Sequence, residues 1–215
     1  MKKVVLAFIM FFVMTSASFA DSNVYITQSG ASLDLDITLD GDGNAVGASN
    51  DRTLLTGANL DVDIDLIGAT NVITGDFIGA GESGSDDLKI SQTGSTNTTA
   101  LNVGASAATD DVKILETRVG SSGATSYTIG NAATVQDVSV TVDVIGDDID
   151  IGTDSDDVDI IVTHTGAGAH KTKLLCTGSC AGSDFTMSQT GANSTDVDIT
   201  VTNATSSDVD ITITD

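Results

Sequence analysis

An eight-residue pattern that recurs along the chain restricts its possible folds more than any other feature. The pattern has a polar first residue, apolar residues at the second and fourth places, a variable sixth place and usually glycine at the eighth. Copies begin at Asn23, Asp61, Asp87, Asp111, Ser139, Asp159, Asp184 and Asp208. After a first gap of 38 residues, the spacings are 26, 24, 28, 20, 25 and 24. Such a period is typical of repeat architectures, in which each unit packs on its neighbours.

A second alternating stretch follows the first about half a period later, beginning for example at Asp34, Asp148 and Asp196. Each unit therefore predicts two strands joined by turns, with apolar residues facing one side and Asp, Thr and Ser the other. One such hairpin cannot bury its apolar face stably. We expect an all-β solenoid of stacked strand-turn-strand repeats with a period of about 24 residues, or alternatively a β-sandwich. The long first gap predicts a degenerate unit or an insertion around residues 41–52.

Composition agrees with a narrow, layered core. The chain has 22 Gly, no Pro, no Trp, two Tyr and six Phe, and four of the Phe residues lie in the first twenty positions. A compact globule of this length normally packs around several large aromatic residues. Disordered chains are poor in β-branched residues, whereas this chain is rich in the strand-forming residues Val, Ile and Thr.

Residues 1–20 are predicted to be a signal peptide. Lys2 and Lys3 precede an apolar run too short to cross a bilayer, and Ser18-Phe19-Ala20 offers a small-x-small cleavage site. We therefore expect residues 21–215 to be one repeat domain. It would be secreted, extracellular or on the cell surface, with no membrane segment in the mature form.

The charge is strongly negative. A chain cleaved after residue 20 keeps six basic and 31 acidic residues, which argues against nucleic acid and anionic membrane as partners. Asp-x-Asp pairs on the outer face would stack in register; they are Asp34/Asp36, Asp61/Asp63, Asp148/Asp150, Asp157/Asp159, Asp196/Asp198 and Asp208/Asp210. We expect no cofactor beyond weak Ca²⁺ binding. The stretch Asp40-Gly-Asp-Gly-Asn44 begins like an EF-hand loop, but Ala45 replaces its glycine.

Glutamine at the sixth place is the most informative part of the pattern. It is Gln28, Gln92 and Gln189 in three copies, followed two residues later by Gly30, Gly94 and Gly191. An inward amide needs hydrogen-bond partners. Amides repeated at one register can bond to each other as a ladder, and glycine suits the tight turn that follows.

These residues resemble the curlin repeats of bacterial curli fibres, whose unit reads Ser, five residues, Gln, four residues, Asn, five residues, Gln. Ser22–Gln28 and Ser183–Gln189 match the first half of the unit, and Gln92–Asn97 matches the middle. The final Gln is absent, because Leu39, Val103 and Thr200 stand there. The resemblance implies an amyloid-like fibre or biofilm matrix subunit that supports adhesion. Its implied partners are further copies of itself and the secretion and nucleation proteins of a curli-like system.

The sequence offers little support for a catalytic site, and we expect the protein not to be an enzyme. His164 occupies the variable sixth place, and His170 is expected in a loop over residues 166–173. Cys176 and Cys180 predict one local disulfide in an exported protein. The alternative function is a monomeric, cation-stabilised solenoid that binds a surface, of adhesin or ice-binding type. The residues that suggest this alternative function are the threonine pairs Thr200/Thr202 and Thr212/Thr214.

Overall fold

The computed structural model describes most of the chain after the first 21 residues. The described ranges are 22–29, 32–47, 53–57, 59–79, 86–103, 109–120, 122–129, 135–145, 148–153, 158–165, 169–176, 180–191, 194–202 and 205–214. They form eighteen strands and no helix. The predicted signal peptide lies outside these residues.

The strands form two sheets in which every pairing is parallel. The first sheet contains β1 (Ser22–Val24), β2 (Thr27–Ser29), β4 (Gly43–Val46), β5 (Thr53–Gly57), β7 (Thr70–Gly79), β9 (Thr96–Val103), β11 (Ser122–Ile129), β13 (Asp148–Thr153), β15 (Ala169–Cys176) and β17 (Ser194–Val201). The second contains β3 (Leu33–Asp40), β6 (Leu60–Ile67), β8 (Asp86–Thr93), β10 (Thr109–Val119), β12 (Val135–Ile145), β14 (Val158–Thr165), β16 (Asp184–Thr190) and β18 (Asp208–Thr214).

The chain crosses from one sheet to the other in every repeat and so forms a β-solenoid. We call each strand of the second sheet, together with the strand or strands of the first sheet that precede it, a rung. The first rung is β1–β3 and the last is β17–β18. This confirms the predicted solenoid over the sandwich. Paired residues in the second sheet are 26 apart from β6 to β12, as in Asp61 with Asp87, and 20 to 25 apart beyond β12.

Alternation along each strand puts the apolar residues between the sheets. In β6, Val62, Ile64 and Leu66 are buried, while Asp61 points to solvent. Hydrophobic burial of these inward rows is what stabilises the stack, because no single rung has a core of its own.

The register of the first unit differs from the prediction. The segment from Asn23 forms β1 and β2 of the first sheet, whereas Asp34 pairs with Asp61 in the second sheet. Asp34-Leu-Asp-Ile-Thr-Leu-Asp-Gly41 is therefore the copy in line with the later ones, and its distance to Asp61 is an ordinary 27 residues. The predicted role of Asp34 as the start of a second strand was wrong. Strands of both sheets alternate alike, so the pattern alone does not tell them apart.

The fourth copy is also displaced, by two residues. Lys113, not Asp111, pairs with Asp87, which makes Arg118 rather than Glu116 the residue in line with Gln92. The reading KILETRVG from Lys113 restores the glycine at the eighth place, Gly120. Both residues that the shift exchanges point inward, because their spacing of two preserves the face.

Candidate functional site

An amide ladder exists in the solenoid, but asparagines form it. Asn44, Asn71 and Asn97 lie one above another at the start of β4, β7 and β9. Nδ2 of Asn44 donates to Oδ1 of Asn71 over 3.0 Å, and Nδ2 of Asn71 donates to Oδ1 of Asn97 over 2.8 Å. All three side chains are buried. Asn97, part of the match to the curlin unit, thus belongs to a ladder together with Asn44 and Asn71, which no pattern in the sequence had singled out.

The same amides bind the backbone at the corner that begins the next rung. Nδ2 of Asn71 donates to the carbonyl oxygen of Thr93 over 3.1 Å, and that oxygen also accepts from the amide of Gly68 over 2.9 Å. Asn44 and Asn97 repeat this arrangement one rung away on either side. Each asparagine therefore joins its corner to the next rung, and Asn44 and Asn71 also donate to the next amide.

Close stacking of these corners requires glycine. A Cβ atom on Gly94 would lie 1.9 Å from the carbonyl oxygen of Gly68, closer than any non-bonded contact permits. The signal Gly-x-x-Asn marks the corner three times, as Gly41–Asn44, Gly68–Asn71 and Gly94–Asn97. The same tetrapeptide also occurs at residues 47–50, so the ladder would have been located from the sequence only by those copies whose glycine ends the eight-residue pattern.

The predicted glutamine ladder is wrong in its stacking. Gln92 and Gln189 point inward and are buried, but the neighbours of Gln92 in the sheet are Leu66 and Arg118, and Gln189 lies between His164 and Ile213. Gln28 lies in the first sheet opposite Leu55.

Each buried glutamine instead bonds across the core. Nε2 of Gln92 donates to the carbonyl oxygen of Thr98 over 3.3 Å, and Nε2 of Gln189 donates to Oγ1 of Thr195 over 2.6 Å. The glycines that follow them have turn roles: Gly94 in the stacked corner, and Gly191 with a φ of 77°. Gly30 lies outside the described residues.

A fully buried carboxylate occupies the middle of the core. Oε1 of Glu116 accepts from Oγ1 of Thr99 over 2.7 Å, and Oε2 accepts from the hydroxyl of Tyr127 over 2.8 Å. Thr125 also donates to both carboxylate oxygens. Nε of Arg118 lies 3.8 Å from Oε1, and both side chains of this ion pair are excluded from solvent. The charge is thus compensated by hydrogen bonds and by a neighbouring cation, as buried charges require.

The environment of Glu116 changes the acidity of its tyrosine partner. Burial, the charge of Glu116 and the hydrogen bond to it raise the pKa of Tyr127 well above its ordinary value of 10, while Arg118 acts in the opposite direction. Tyr127 therefore remains a hydroxyl donor, because ionisation would place a second negative charge in the core.

Two histidines meet in the core further along the solenoid. Nδ1 of His164 lies 3.2 Å from Nδ1 of His170, and Nε2 of His164 lies 2.9 Å from Oγ1 of Thr172. His170 lies in β15 and is buried, so its predicted loop position was wrong. Burial in the first place, then His170 and Arg118, lower the pKa of His164 from 6.5 to about 4. His164 is therefore neutral at neutral pH.

The two cysteines form a disulfide at the corner between β15 and β16. Their sulfur atoms are 2.02 Å apart, and both residues are fully buried. Cys176 ends β15, where its side chain continues an inward row.

Acidic residues of the outer faces stack in register, but lysines interrupt the rows. Asp34, Asp61 and Asp87 follow one another directly and are exposed. The next row reads Asp36, Asp63, Lys89, and Nζ of Lys89 lies 3.3 Å from Oδ1 of Asp63. In the first sheet, Lys171 has Asp148 and Asp196 as register partners, and Lys173 has Asp150 and Asp198. The repulsion expected from uninterrupted acidic rows is therefore smaller than the sequence predicts. Asp157 lies outside the described residues.

Both ends of the described solenoid are open. In the last strand every residue is exposed, and the inward-pattern residues Val209, Ile211 and Ile213 are 41%, 48% and 47% exposed. In β6 the equivalent residues are at most 6% exposed. At the other end, Leu33, Leu35 and Leu39 of β3 are only partly buried. Each end thus presents an unpaired parallel strand edge and an incompletely covered apolar row.

Metal-ligating side chains do not cluster in the described part of the chain. No group of three or more His, Cys, Asp or Glu residues there is placed to hold a metal ion. The described residues also contain no helix long and apolar enough to cross a membrane. Comparison with protein-family models, characterised proteins and solved structures gives no match.

Proposed function

We propose that this protein is a secreted structural subunit that assembles with copies of itself into an extracellular fibre or matrix and is not an enzyme. The carrying observation is the pair of open ends. A solenoid whose terminal rungs are uncovered offers a template for another solenoid. Because all pairings are parallel, the two ends differ, and head-to-tail contact would give an open filament rather than a closed dimer.

The two ends fit each other in chemistry and in register. When β18 of one copy docks on β3 of the next, the residues at equivalent places are Val209 with Leu35, Ile211 with Ile37 and Ile213 with Leu39. The contact would repeat the apolar-on-apolar stacking found between β3 and β6. Covering the exposed half of Ile211 alone would contribute roughly 2 kcal/mol, at about 25 cal/mol per Å² of apolar surface.

Repulsion between aspartates opposes this junction in the second sheet only. Docking β18 on β3 places Asp208 by Asp34 and Asp210 by Asp36, whereas β17 would meet the uncharged strands β1 and β2 in the first sheet. Because exposed like charges are screened by salt, assembly belongs in a salty exterior. This agrees with the secretion that the first twenty residues imply. Curli-like secretion and nucleation proteins remain the proposed partners.

The test is elongation of fibre seeds by wild-type protein and by two aspartate variants of β18. Ile211→Asp places a charge in the junction, yet Ile211 is half exposed in the single molecule, so the variant should fold. Thr212→Asp adds the same charge on the outer face of the same strand. We expect Ile211→Asp to stop elongation and Thr212→Asp to slow it by a few-fold at most. Wild-type protein that stays monomeric at high concentration and high salt would refute the fibre proposal.

A second candidate function follows from an ordered array of hydroxyl groups. On the outer face of the second sheet, Thr165, Thr190 and Thr214 are in register, and beside them lie Thr163, Ser188 and Thr212. Strand geometry spaces such hydroxyls about 4.8 Å apart between strands and roughly 6.6 Å along them. A regular array of this kind supports ordering of water on a surface, as in ice-binding solenoids. Thermal hysteresis of the monomer, and its loss in Thr190→Lys, would favour this function over assembly.

A further inference from the structure

The disulfide lies in an unusual corner of the solenoid. The link between β15 and β16 spans residues 177–183, which is seven residues, whereas the other links from the first sheet to the second hold two to six. A longer link has more conformations to lose on folding. The bond between Cys176 and Cys180 closes most of this link into a small ring and so restricts the corner.

The corner that the disulfide restricts forms hydrogen bonds with the last rung. The carbonyl oxygen of Cys176 accepts from the amide of Thr202 over 3.0 Å and from its hydroxyl over 3.2 Å. The carbonyl oxygen of Cys180 accepts from the hydroxyl of Ser207 over 2.6 Å. The amide of Gly182 donates to the carbonyl oxygen of Thr205 over 3.0 Å. The link between β17 and β18 is thus held to the bridged corner by four hydrogen bonds, three of them to the cysteines themselves.

We propose that the Cys176–Cys180 disulfide is a redox-controlled clamp that keeps the last rung in the register needed for docking another copy. This inference rests on the proposed assembly and names its regulation. With the bond formed, both carbonyl oxygens are fixed and hold the link between β17 and β18 in place. With the bond broken, the carbonyl oxygen of Cys176 stays in β15, but the rest of the link, with the acceptor at Cys180 and the donor at Gly182, is no longer restrained by the ring.

The chemistry requires a dithiol reductant. When local opening of the corner exposes the buried bond, a thiolate of the dithiol attacks one cysteine sulfur and the other cysteine leaves as a thiolate. The second thiol of the reductant then attacks the reductant's own sulfur in the mixed disulfide and releases the first cysteine. Two electrons and two protons end on the cysteines as thiols, and the reductant leaves as its cyclic disulfide. Chains kept reduced would therefore be deficient in assembly until they meet an oxidant that accepts the same two electrons.

The test measures amide hydrogen exchange and seeded elongation on the same full-length protein, oxidised and then reduced with dithiothreitol. After reduction we expect exchange in β17 and β18 to accelerate on the order of tenfold, the scale of the constraint a short disulfide ring imposes. Exchange in β9 and β11 should not change, and elongation should slow by a similar factor. Reoxidation should restore both. A Cys176→Ala/Cys180→Ala variant should behave like the reduced protein and be indifferent to the reductant.

The outcomes separate the clamp from the assembly. If reduction leaves exchange in β17 and β18 unchanged, the clamp is wrong whatever the fibres do. If exchange accelerates but elongation does not slow, the disulfide does not control docking. If oxidised protein never elongates, the assembly proposal fails, and with it the regulatory role. The exchange data would then still decide whether the bond holds the last rung.

Discussion

Replacing the middle asparagine of the ladder is the sharpest test of what holds the rungs together. In Asn71→Ala, the bonds from Asn44 over 3.0 Å, to Asn97 over 2.8 Å and to the carbonyl oxygen of Thr93 over 3.1 Å are all lost. A longer bond to the carbonyl oxygen of Gly68, over 3.4 Å, is lost with them. Asn44 keeps its bond to the carbonyl oxygen of Ile67, and Thr93 keeps its bond from the amide of Gly68. The bond to Oδ1 of the buried Asn97 has no such substitute.

The expected loss of stability follows from that inventory. The three shorter hydrogen bonds are worth about 1 kcal/mol each net, and leaving a buried acceptor without a donor costs about 1–3 kcal/mol. Because the cavity can admit water or close partly, we expect Asn71→Ala to lower the free energy of unfolding by about 3 kcal/mol. The matched control is Asn102→Ala, which removes one bond, to Asp76, at a partly exposed site. It should cost about 1 kcal/mol or less.

The assay is urea unfolding of dilute monomer followed by far-ultraviolet circular dichroism, combined with hydrogen exchange. Repeat proteins need not unfold in one step, so exchange locates the loss, which should centre on β4, β7 and β9. Equal destabilisation by the two alanine variants, or a loss spread evenly over all rungs, would refute the role assigned to the ladder.

Three further changes test the buried clusters and the acidic rows. Tyr127→Phe removes a hydrogen bond to a buried carboxylate and should cost about 1.5–3 kcal/mol, whereas Tyr25→Phe, at a half-exposed site, should cost less than about 0.5 kcal/mol in urea unfolding. The pKa of His164 is about 4 in the folded protein and 6.5 in the unfolded chain, so the unfolded chain binds more protons between these values and stability falls as pH is lowered from 6.5 to 4. His164→Gln should remove this part of the pH dependence, and an unchanged slope would contradict the assignment. Fibre lag should be long in neutral low-salt buffer and shortened by NaCl, by Ca²⁺, by acid near the pI of 4.1, and by Asp34→Asn/Asp208→Asn at low salt only. A lag that none of these changes would show that the acids do not govern assembly.

The architecture was predictable because both of its determinants are written in local residue types. Alternation in Leu60–Ile67 and Asp184–Thr190 specifies strands with one apolar face, and the repeat spacing specifies stacking. What the pattern does not encode is which sheet a strand joins, since both sheets bury the same kind of face. The first copy was therefore assigned to the wrong sheet. The shift at Asp111 arose similarly, because moving by two residues leaves every side chain on its own face.

The polar interior was harder to predict because its partners are distant in sequence. Glu116 of β10 meets Thr99 of β9 and Tyr127 of β11 across the core between the two sheets, 17 residues away in one direction and 11 in the other. From the sequence alone, Glu116 was only the residue at the sixth place of its copy, where three other copies have glutamine. The asparagine ladder, in contrast, left a repeated signature in Gly68–Asn71 and Gly94–Asn97. It could have been found by extending the repeat past its eighth residue.

If the protein assembles as proposed, the distribution of its buried polar groups would let one chain hold a fixed register internally and still stack on another copy. In the middle rungs the inward places carry groups that fit only particular neighbours, such as Glu116 with Tyr127 and His164 with His170. A slipped register there would strand a charge or an amide without partners, at a cost of several kcal/mol. In the second sheet, the two terminal strands carry only apolar side chains along this row: Leu35, Ile37 and Leu39 in β3, and Val209, Ile211 and Ile213 in β18. Apolar contacts are non-directional, so these ends accept each other without demanding a particular partner atom. Polar contacts that fix the register are thus concentrated in the middle rungs, where the chain folds on itself. The non-directional apolar contacts lie at the two ends, where a second molecule would bind.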